Sequence, residues 1–271
     1  MLRRSLIVIA FLLATVASAA EWERVSPGVA YRHIRRDTID VYVTKIDLRS
    51  RAIRVIATQE EEKGLTVSEF AKKTDAIVAI NADYFNEQSQ PLGLSMGACG
   101  VWTKGEKLGR KQGLVAVGRR RAEIQARTMI PKRWMTGAVS GWPMLVSSCA
   151  VLADLPGSDH FTRAPHPRTA VALSKDGKTM YFVAADGRKE GVPGMTLPEL
   201  AAFLREELGA CAAMNLDGGG STAMWVDDEI VNRPSDGPER KVGNHLAVVA
   251  ARDYRGCDIR DRTKRDQKKK D

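Results

Sequence analysis

Cysteine and histidine are both scarce in this sequence, with four of each among 271 residues. The cysteines have no C-x-x-C spacing and no nearby histidine, which excludes the common zinc-binding modules. In an oxidising compartment they could form two disulfides by any of three pairings, and otherwise they are buried or free thiols. The sequence does not choose among these states for Cys99, Cys149, Cys211 and Cys257.

Other missing sequence features exclude further classes of protein. The glycine triplet at 218–220 is not followed by the lysine of a Walker loop, which excludes a nucleotide-binding P-loop. After the first 19 residues, no apolar run approaches the roughly 20 residues that a membrane span needs. We therefore expect no transmembrane segment in the processed chain. The four histidines are scattered, and we expect them to be structural or exposed; His245, beside Asn244, is a weaker site candidate.

Composition indicates a globular protein. Hydrophobic residues make up 44% and charged residues 28%, and a chain of this length buries a large core without metal or disulfide support. Disorder, collagen, a coiled coil and a small disulfide-framework toxin are excluded. We see no internal repeat and no linker, so we predict one compact domain over residues 20–251.

The net charge of +9 lies mainly at the two ends of the chain. Residues 1–19 contribute +2, and residues 252–271, with nine basic and five acidic residues, contribute +4. The 232 residues between them carry only +3. A duplex nucleic-acid binder needs a basic face on its folded domain, so we predict no nucleic-acid partner.

Both ends are predicted to lie outside the fold. Residues 1–19 combine Arg3 and Arg4, a short apolar run and Ala17-Ser18-Ala19, the pattern of a secretory signal peptide. The alternative, a membrane anchor, needs a longer apolar run. We therefore predict a periplasmic or secreted protein. Residues 252–271 are predicted to be a solvated basic tail, with weak binding to an anionic envelope surface as the alternative.

Local patterns predict the class of fold. Alternating apolar residues at 41–46 and 52–57 flank a polar turn and predict a β-hairpin. A second hairpin is predicted over 169–185, around Asp176-Gly177. Capping boxes that begin at Thr66 and Thr196 predict two helices. Hairpins outnumber crossovers, which favours an α+β fold with mixed, mainly antiparallel β-sheets and a few helices.

Three predicted buried strands each end in a loop that bears a carboxylate. The loops contain Asp83, Asp186 and Asp217, and strand ends hold polar groups on a rigid base. We predict that they converge on one site. Asp83 and polar neighbours in the same loops are substrate-binding candidates, the neighbours being Asn81, Arg188, Asn215, Ser221 and Thr222.

The triplet Gly218, Gly219 and Gly220 is the most specific local feature. Three glycines cost backbone entropy, yet they permit positive φ and can aim successive N–H groups at an anion. The alternative is a plain tight turn. Arg168 stands at the start of a predicted strand, where its guanidinium could bind a phosphate through paired hydrogen bonds, or form a surface ion pair.

The same residues carry a resemblance to the phosphodiester glycosidase family. Over about residues 40–251, the segments that match in order are Asn81-Ala-Asp-Tyr-Phe, Gly141-Trp-Pro-Met-Leu-Val146, Arg168-Thr-Ala-Val, Asp186-Gly-Arg188, Gly194-Met-Thr-Leu-Pro-Glu-Leu200 and Asn215-Leu-Asp-Gly-Gly-Gly-Ser-Thr222. The animal member removes N-acetylglucosamine from a phosphodiester on mannose 6-phosphate. Ala82-Asp83 stands where that enzyme has Gly-Gly, so a catalytic role is the least secure transfer for Asp83, which we place among the substrate-binding candidates.

The resemblance implies a bacterial exported hydrolase that cleaves a glycosyl phosphodiester in an envelope or extracellular glycan. It implies Asp217, Asp186 and Arg168 as catalytic residues. No cofactor is required, although Asp and Asn oxygens could hold Ca²⁺. Two alternatives remain open from the sequence: a non-catalytic glycan- or polyanion-binding envelope protein, and a phosphoesterase that cuts the P–O bond.

Overall fold

The computed structural model describes residues 21–104, 112–127, 130–254 and 256–257. The predicted leader at 1–19 and residues 258–271 of the predicted tail lie outside these ranges. Within them, no helix has both the length and the apolar character needed to cross a membrane.

In chain order the structure contains the following strands and helices, all within the described ranges: β1 (Glu23–Ser26), β2 (Val29–Arg36), β3 (Ile39–Asp47), β4 (Ile53–Ala57), α1 (Val67–Thr74), β5 (Ala76–Asn81), β6 (Ser95–Gly97), β7 (Gly100–Thr103), β8 (Gly113–Gly118), β9 (Arg121–Gln125), β10 (Met135–Gly141), β11 (Met144–Ser147), β12 (Ala150–Val151), α2 (Asp159–Thr162), β13 (Arg168–Ser174), β14 (Thr179–Ala185), α3 (Leu197–Glu206), β15 (Ala210–Asn215), β16 (Met224–Val226), β17 (Glu229–Ile230) and β18 (His245–Ala250).

The strands form three antiparallel sheets. The largest has eight strands in the order β1-β2-β3-β14-β13-β15-β11-β12. Two five-stranded sheets have the orders β7-β6-β10-β8-β9 and β17-β16-β5-β18-β4. The predicted α+β class with mainly antiparallel sheets is confirmed.

The sheets and helices pack as layers around two main apolar clusters. On one face of the eight-stranded sheet, Val43 and Val183 pack against Leu200 and Leu204 of α3. The opposite face packs against both smaller sheets, and α1 covers the outer side of the β5–β18 sheet. Strands β13 and β14 are therefore covered on both faces, which explains why their sequences are apolar almost throughout.

Both predicted helix starts are confirmed. The Thr66 hydroxyl accepts a hydrogen bond from the Glu69 N–H at 3.2 Å, and the Glu69 carboxylate accepts one from the Thr66 N–H at 2.8 Å. Thr196 and Glu199 repeat this reciprocal pair at the start of α3. Each box satisfies backbone donors that the first helical turn leaves unpaired.

The predicted hairpin over 41–57 is wrong. Strand β3 pairs with β2 and β14, whereas β4 lies in another sheet and pairs with β18. The true hairpin partner, β2, was not predicted, because its arginines at 32, 35 and 36 interrupt the apolar alternation. The hairpin over 169–185 is confirmed, with β13 and β14 in register from Arg168–Ala185 to Leu173–Met180.

The structure pairs the four cysteines as Cys99–Cys257 and Cys149–Cys211, one of the three combinations left open. The first disulfide holds residue 257, six residues past the predicted domain end, against the turn between β6 and β7. Tyr254 also packs against the apolar cluster around α1.

Candidate active site

Strand order brings two of the three predicted loops to one edge of the eight-stranded sheet. Strand β13 lies between β14 and β15 and is antiparallel to both, so the start of β13 lies beside the ends of both neighbours. Arg168 is opposite Ala185, and Ala170 is opposite Asn215. Arg168 therefore starts its strand where the loops that bear Asp186 and Asp217 begin.

The third loop, after β5, joins this edge from the neighbouring sheet. The Asp217 N–H donates to the Ala82 carbonyl at 2.8 Å, and Asn81 Nδ2 donates to the Asp217 carbonyl at 2.6 Å. Asn81 Oδ1 also accepts from Thr169 Oγ1 at 2.8 Å. Asn81, a predicted substrate-binding residue, is fully buried and holds the seam between the two sheets together.

Asp217 is partly exposed at this seam. Its carboxylate is hydrogen-bonded by the Ser221 hydroxyl and the Gly218 N–H, and Arg240 lies close by. Burial outweighs these favourable contacts and raises the Asp217 pKa from its usual value to about 6. The group is thus mainly ionised at neutral pH and close to its titration range.

The glycine triplet allows close backbone approach. A side-chain Cβ on Gly218 would lie 2.6 Å from the Pro167 carbonyl oxygen, and one on Gly220 would lie 2.0 Å from Asp236 Oδ2. Gly219 has φ +61°, and its N–H donates to the Pro167 carbonyl. Because the Gly218 and Gly219 amides are engaged within the protein, the predicted anion nest is not formed by them.

Arg168 is buried, with 3% of its surface exposed, and its guanidinium is held by backbone carbonyls. Nε donates to the Met195 carbonyl at 2.9 Å, and Nη2 donates to the carbonyls of Phe161 at 2.7 Å and Ala164 at 3.1 Å. Among the described residues, no carboxylate pairs with it. Burial, with a smaller contribution from Arg188, lowers its pKa to about 10.

Arg188 supplies a second guanidinium at the same place. Its nitrogens lie 3.1 and 3.2 Å from the position that a Cβ on Gly219 would occupy. His166 Nε2 lies 2.9 Å from the His160 carbonyl and must donate to it, so His166 Nδ1 accepts from Arg188 Nη2 at 3.3 Å. Arg188 is exposed, and within the described ranges no acidic side chain pairs with it.

A third guanidinium was not predicted. Arg240 pairs with Asp236, and its Nη1 donates to Ser221 Oγ at 3.4 Å. Ser221, predicted to bind substrate, is 1% exposed and lies between Arg240 and Asp217. No sequence motif marks the loop that carries Asp236 and Arg240, and its ion pair is recognisable only from its position against Gly220.

Asp83 lies beside Asp217 but is 1% exposed. Ser95 Oγ donates to its Oδ2 at 3.1 Å, and burial raises its pKa well above the usual value, with a further contribution from the charge of Asp217. Ser95 is the serine of a G-x-S-x-G pattern at 93–97. It lies within strand β6, not at a strand-to-helix turn, so the context of a hydrolase nucleophile is absent.

Asp186 belongs to a different network. Asp186 lies two residues after Ala184 and so on the same face of the eight-stranded sheet, the face towards the core between the sheets. Arg168 lies on the opposite face, which packs on α3. The Asp186 carboxylate accepts from Asn232 Nδ2 at 3.0 Å and from the Arg233 N–H at 3.1 Å. Asn232 Nδ2 also donates to the Thr222 carbonyl at 3.1 Å, which ties Asp186 indirectly to the glycine turn.

Two further predicted residues are buried supports. Thr222 Oγ1 lies 3.4 Å from Thr169 Oγ1. Asn215 Nδ2 donates to Tyr84 Oη at 2.7 Å and to the Trp142 carbonyl at 2.8 Å. Tyr84 and Trp142 lie within the recognised sequence segments, and their position beside the site is apparent only from the structure.

The described residues contain no group of three or more His, Cys, Asp or Glu side chains that could hold a metal ion. Binding of Ca²⁺, which was considered from the sequence, stays a prediction. A cavity of about 590 Å³ lies elsewhere, beside the Cys99–Cys257 disulfide, and none of the predicted site residues lines it.

This arrangement defines a class of site. A carboxylate with a raised pKa and a neighbouring Arg240 lies on the glycine turn at the shared edge of two sheets. Arg188, which lacks an acidic partner in the described chain, lies against Gly219 of the same turn, and the buried Arg168 starts the adjacent strand. Such a combination suits hydrolysis of an anionic substrate. The sequence profile of the phosphodiester glycosidase family matches residues 74–249, and the chain belongs to this family. Family membership supports a glycosidase-type function.

Two curated relatives share parts of the sequence. The chain is 28% identical over 193 residues to the SPbeta prophage-derived uncharacterized protein YomE of Bacillus subtilis, covering 68% of this chain and 29% of that protein. It is 38% identical over 76 residues to mouse N-acetylglucosamine-1-phosphodiester alpha-N-acetylglucosaminidase, covering 28% of this chain and 14% of that enzyme. The chain thus spans less than a third of the length of either relative.

Solved structures share the fold. The catalytic domain of zebrafish N-acetylglucosamine-1-phosphodiester alpha-N-acetylglucosaminidase, auto-inhibited by its pro-peptide, aligns with a TM-score of 0.67 and 19% identity, covering 87% of this chain and 85% of that one. A Synechocystis protein aligns with a TM-score of 0.68 and 17% identity, covering 86% and 64%. A Burkholderia pseudomallei protein described as exported aligns at 0.60 and 18%, covering 78% and 74%.

Proposed function

We propose that this protein is an exported hydrolase that cleaves the glycosidic C–O bond of a glycosyl phosphodiester in an envelope or extracellular glycan. One observation carries the proposal: the Arg188 guanidinium lies against Gly219 of the Asp217 turn, Arg168 starts its strand beside Gly218, and neither has an acidic partner among the described residues. A buried cation without a counter-ion is costly, and a bound anion offsets that cost. A phosphodiester is such an anion, because its charged oxygens accept hydrogen bonds from guanidinium groups.

The two guanidinium groups have separate tasks in this proposal. Arg168 is held rigidly, since Nε and Nη2 are bound to carbonyls, and Nη1 has no partner in the described chain. It therefore presents a preorganised positive charge at little entropic cost. Arg188 is exposed, with Nη2 donating to His166 Nδ1, and it binds the diester from the solvent side. Planar guanidinium groups suit phosphate oxygens because they donate two parallel hydrogen bonds.

Asp217 supplies the carboxylate chemistry. When the anomeric C–O bond breaks, its electron pair goes to the leaving phosphate oxygen, and positive charge develops on the sugar ring. An ionised Asp217 stabilises that charge by its own negative charge. It then either takes the proton of a water that attacks the anomeric carbon, or attacks that carbon itself to form a glycosyl ester that water afterwards hydrolyses, releasing the sugar and Asp217. The leaving phosphate is already a weak base, so no strong general acid is needed. Asp186 acts as a positioning residue through Asn232.

Export is supported by independent features. The first 19 residues have the pattern of a signal peptide. The structure contains two disulfides, and disulfides form and persist mainly in oxidising compartments outside the cytoplasm. No step of the proposed reaction uses a metal ion.

The direct test is release of sugar from a glycosyl-1-phosphodiester. We expect Asp217→Asn to lower the rate by at least about a hundredfold, as expected when a group that acts in the transition state is lost. Arg188→Ala should raise KM because it removes a phosphate contact. Arg35→Ala, at an exposed arginine on β2, is the matched control and should leave both unchanged. Equal rates for wild type and Asp217→Asn would refute the proposed role of Asp217.

Hydrolysis in ¹⁸O-labelled water separates the proposal from its two rivals. Label in the released sugar supports cleavage of the C–O bond. Label in the phosphate supports a phosphoesterase that cuts the P–O bond. Binding of the diester with no product after long incubation supports the non-catalytic glycan-binding alternative.

A further inference from the structure

Three aromatic side chains form a cluster beside Arg168, and we call Tyr84, Trp142 and Phe161 the aromatic platform. The Trp142 and Phe161 rings are stacked at 5.1 Å between centroids, and Tyr84 lies 6.4 Å from Phe161. All three are partly exposed. The guanidinium carbon of Arg168 lies 5.5 Å from the centre of the Phe161 ring. The platform is therefore continuous with the proposed phosphate contact.

The platform is fixed relative to the reacting groups. Tyr84 Oη donates to the Trp142 carbonyl at 2.9 Å and accepts from Asn215 Nδ2 at 2.7 Å. Asn215 is the last residue of β15, two residues before Asp217. Tyr84 directly follows Asp83. Tyr84 is thus tied to the two chain segments that carry Asp83 and Asp217.

We propose that the aromatic platform binds the pyranose ring of the substrate whose anomeric carbon faces Asp217. This inference rests on the proposed function for the position of the phosphate. A pyranose has C–H faces that pack on aromatic rings and hydroxyl edges that stay hydrated, which matches rings that are only partly exposed. The phosphate on its anomeric carbon then reaches Arg168. The platform selects glycosyl phosphodiesters over alkyl ones.

The test compares binding of inorganic phosphate, methyl phosphate and a hexose 1-phosphate by calorimetry. The wild type should bind the hexose 1-phosphate more tightly than methyl phosphate. Trp142→Ala should weaken hexose 1-phosphate binding by about tenfold or more, as for a buried aromatic contact, and leave phosphate binding unchanged. Trp22→Ala is the matched control, because Trp22 is also partly exposed but lies before β1 against Tyr181. Phe161→Ala repeats the test if Trp142→Ala does not fold.

Two results would overturn the platform assignment: equal hexose 1-phosphate affinity in wild type and Trp142→Ala, or equal losses for phosphate and the sugar phosphate. Wild-type binding of a nucleoside monophosphate as tight as that of the hexose 1-phosphate would overturn it too, since the rings would then be a base-stacking site. In each case phosphate binding that depends on Arg188 leaves the proposed function standing. Absence of any phosphate binding counts against the proposed function instead.

Discussion

Removing the Ser221 hydroxyl should shift the acid limb of the pH–rate profile to higher pH. The hydroxyl donates to the ionised form of Asp217 and so lowers a pKa that burial has raised to about 6. A hydrogen bond to a charged group contributes about 1.5–3 kcal/mol, and 1.36 kcal/mol corresponds to one pKa unit. Because the Gly218 N–H and Arg240 remain, we expect Ser221→Ala to move the limb by about one unit, from about pH 6 to about pH 7.

The assay is log kcat/KM against pH, from about pH 5 to about pH 9, which reports the free enzyme's essential groups. Below the pKa Asp217 is protonated and inactive, so Ser221→Ala should be slower than wild type near pH 6.5 and equal to it well above pH 8. Ser95→Ala is the matched control, since Ser95 donates to the neighbouring Asp83. An acid limb that stays at the same pH, or moves to lower pH, in Ser221→Ala would refute the assignment of this limb to Asp217.

Three further changes test the packing around the site. Gly218→Ala should lower the free energy of unfolding in urea by about 1–3 kcal/mol, because its Cβ would lie 2.6 Å from the rigid Pro167 carbonyl oxygen. Unchanged stability would contradict this close contact between Gly218 and Pro167. Replacing Cys149 and Cys211 by serine should lower stability by about 2–5 kcal/mol, and a melting temperature insensitive to reductant in the wild type would disprove the pairing. Thr196→Ala should cost about 1 kcal/mol through loss of the α3 cap, a change that calorimetry resolves; no change would show that the cap is dispensable.

Sequence patterns predicted the elements whose signals are local. The capping boxes at Thr66 and Thr196 and the Asp176-Gly177 turn each act over a few residues, and the structure contains all three. The hairpin over 41–57 was wrong because the choice of partner strand is made by tertiary packing, which alternation along one strand does not encode.

The site was predictable only in part, for a similar reason. Arg168 and Asp217 lie at strand ends, and strand ends can be located from sequence. Arg240 comes from an irregular loop, and nothing in its surroundings in the sequence distinguishes it from an ordinary surface arginine. The glycine triplet correctly indicated a close approach, but the approaching groups, Pro167 and Asp236, are known only from the fold.

The position of β18 determines when the candidate site can first form during synthesis. Strand β18 is the last strand of the described residues, yet it lies inside its sheet, between β5 and β4. Asn244, immediately before it, accepts from the Asp83 N–H at 2.7 Å. A chain still emerging from the ribosome lacks this strand and cannot assemble the seam. The candidate site is therefore completed only after β18 has been translated, although most of the residues that form it come earlier in the chain.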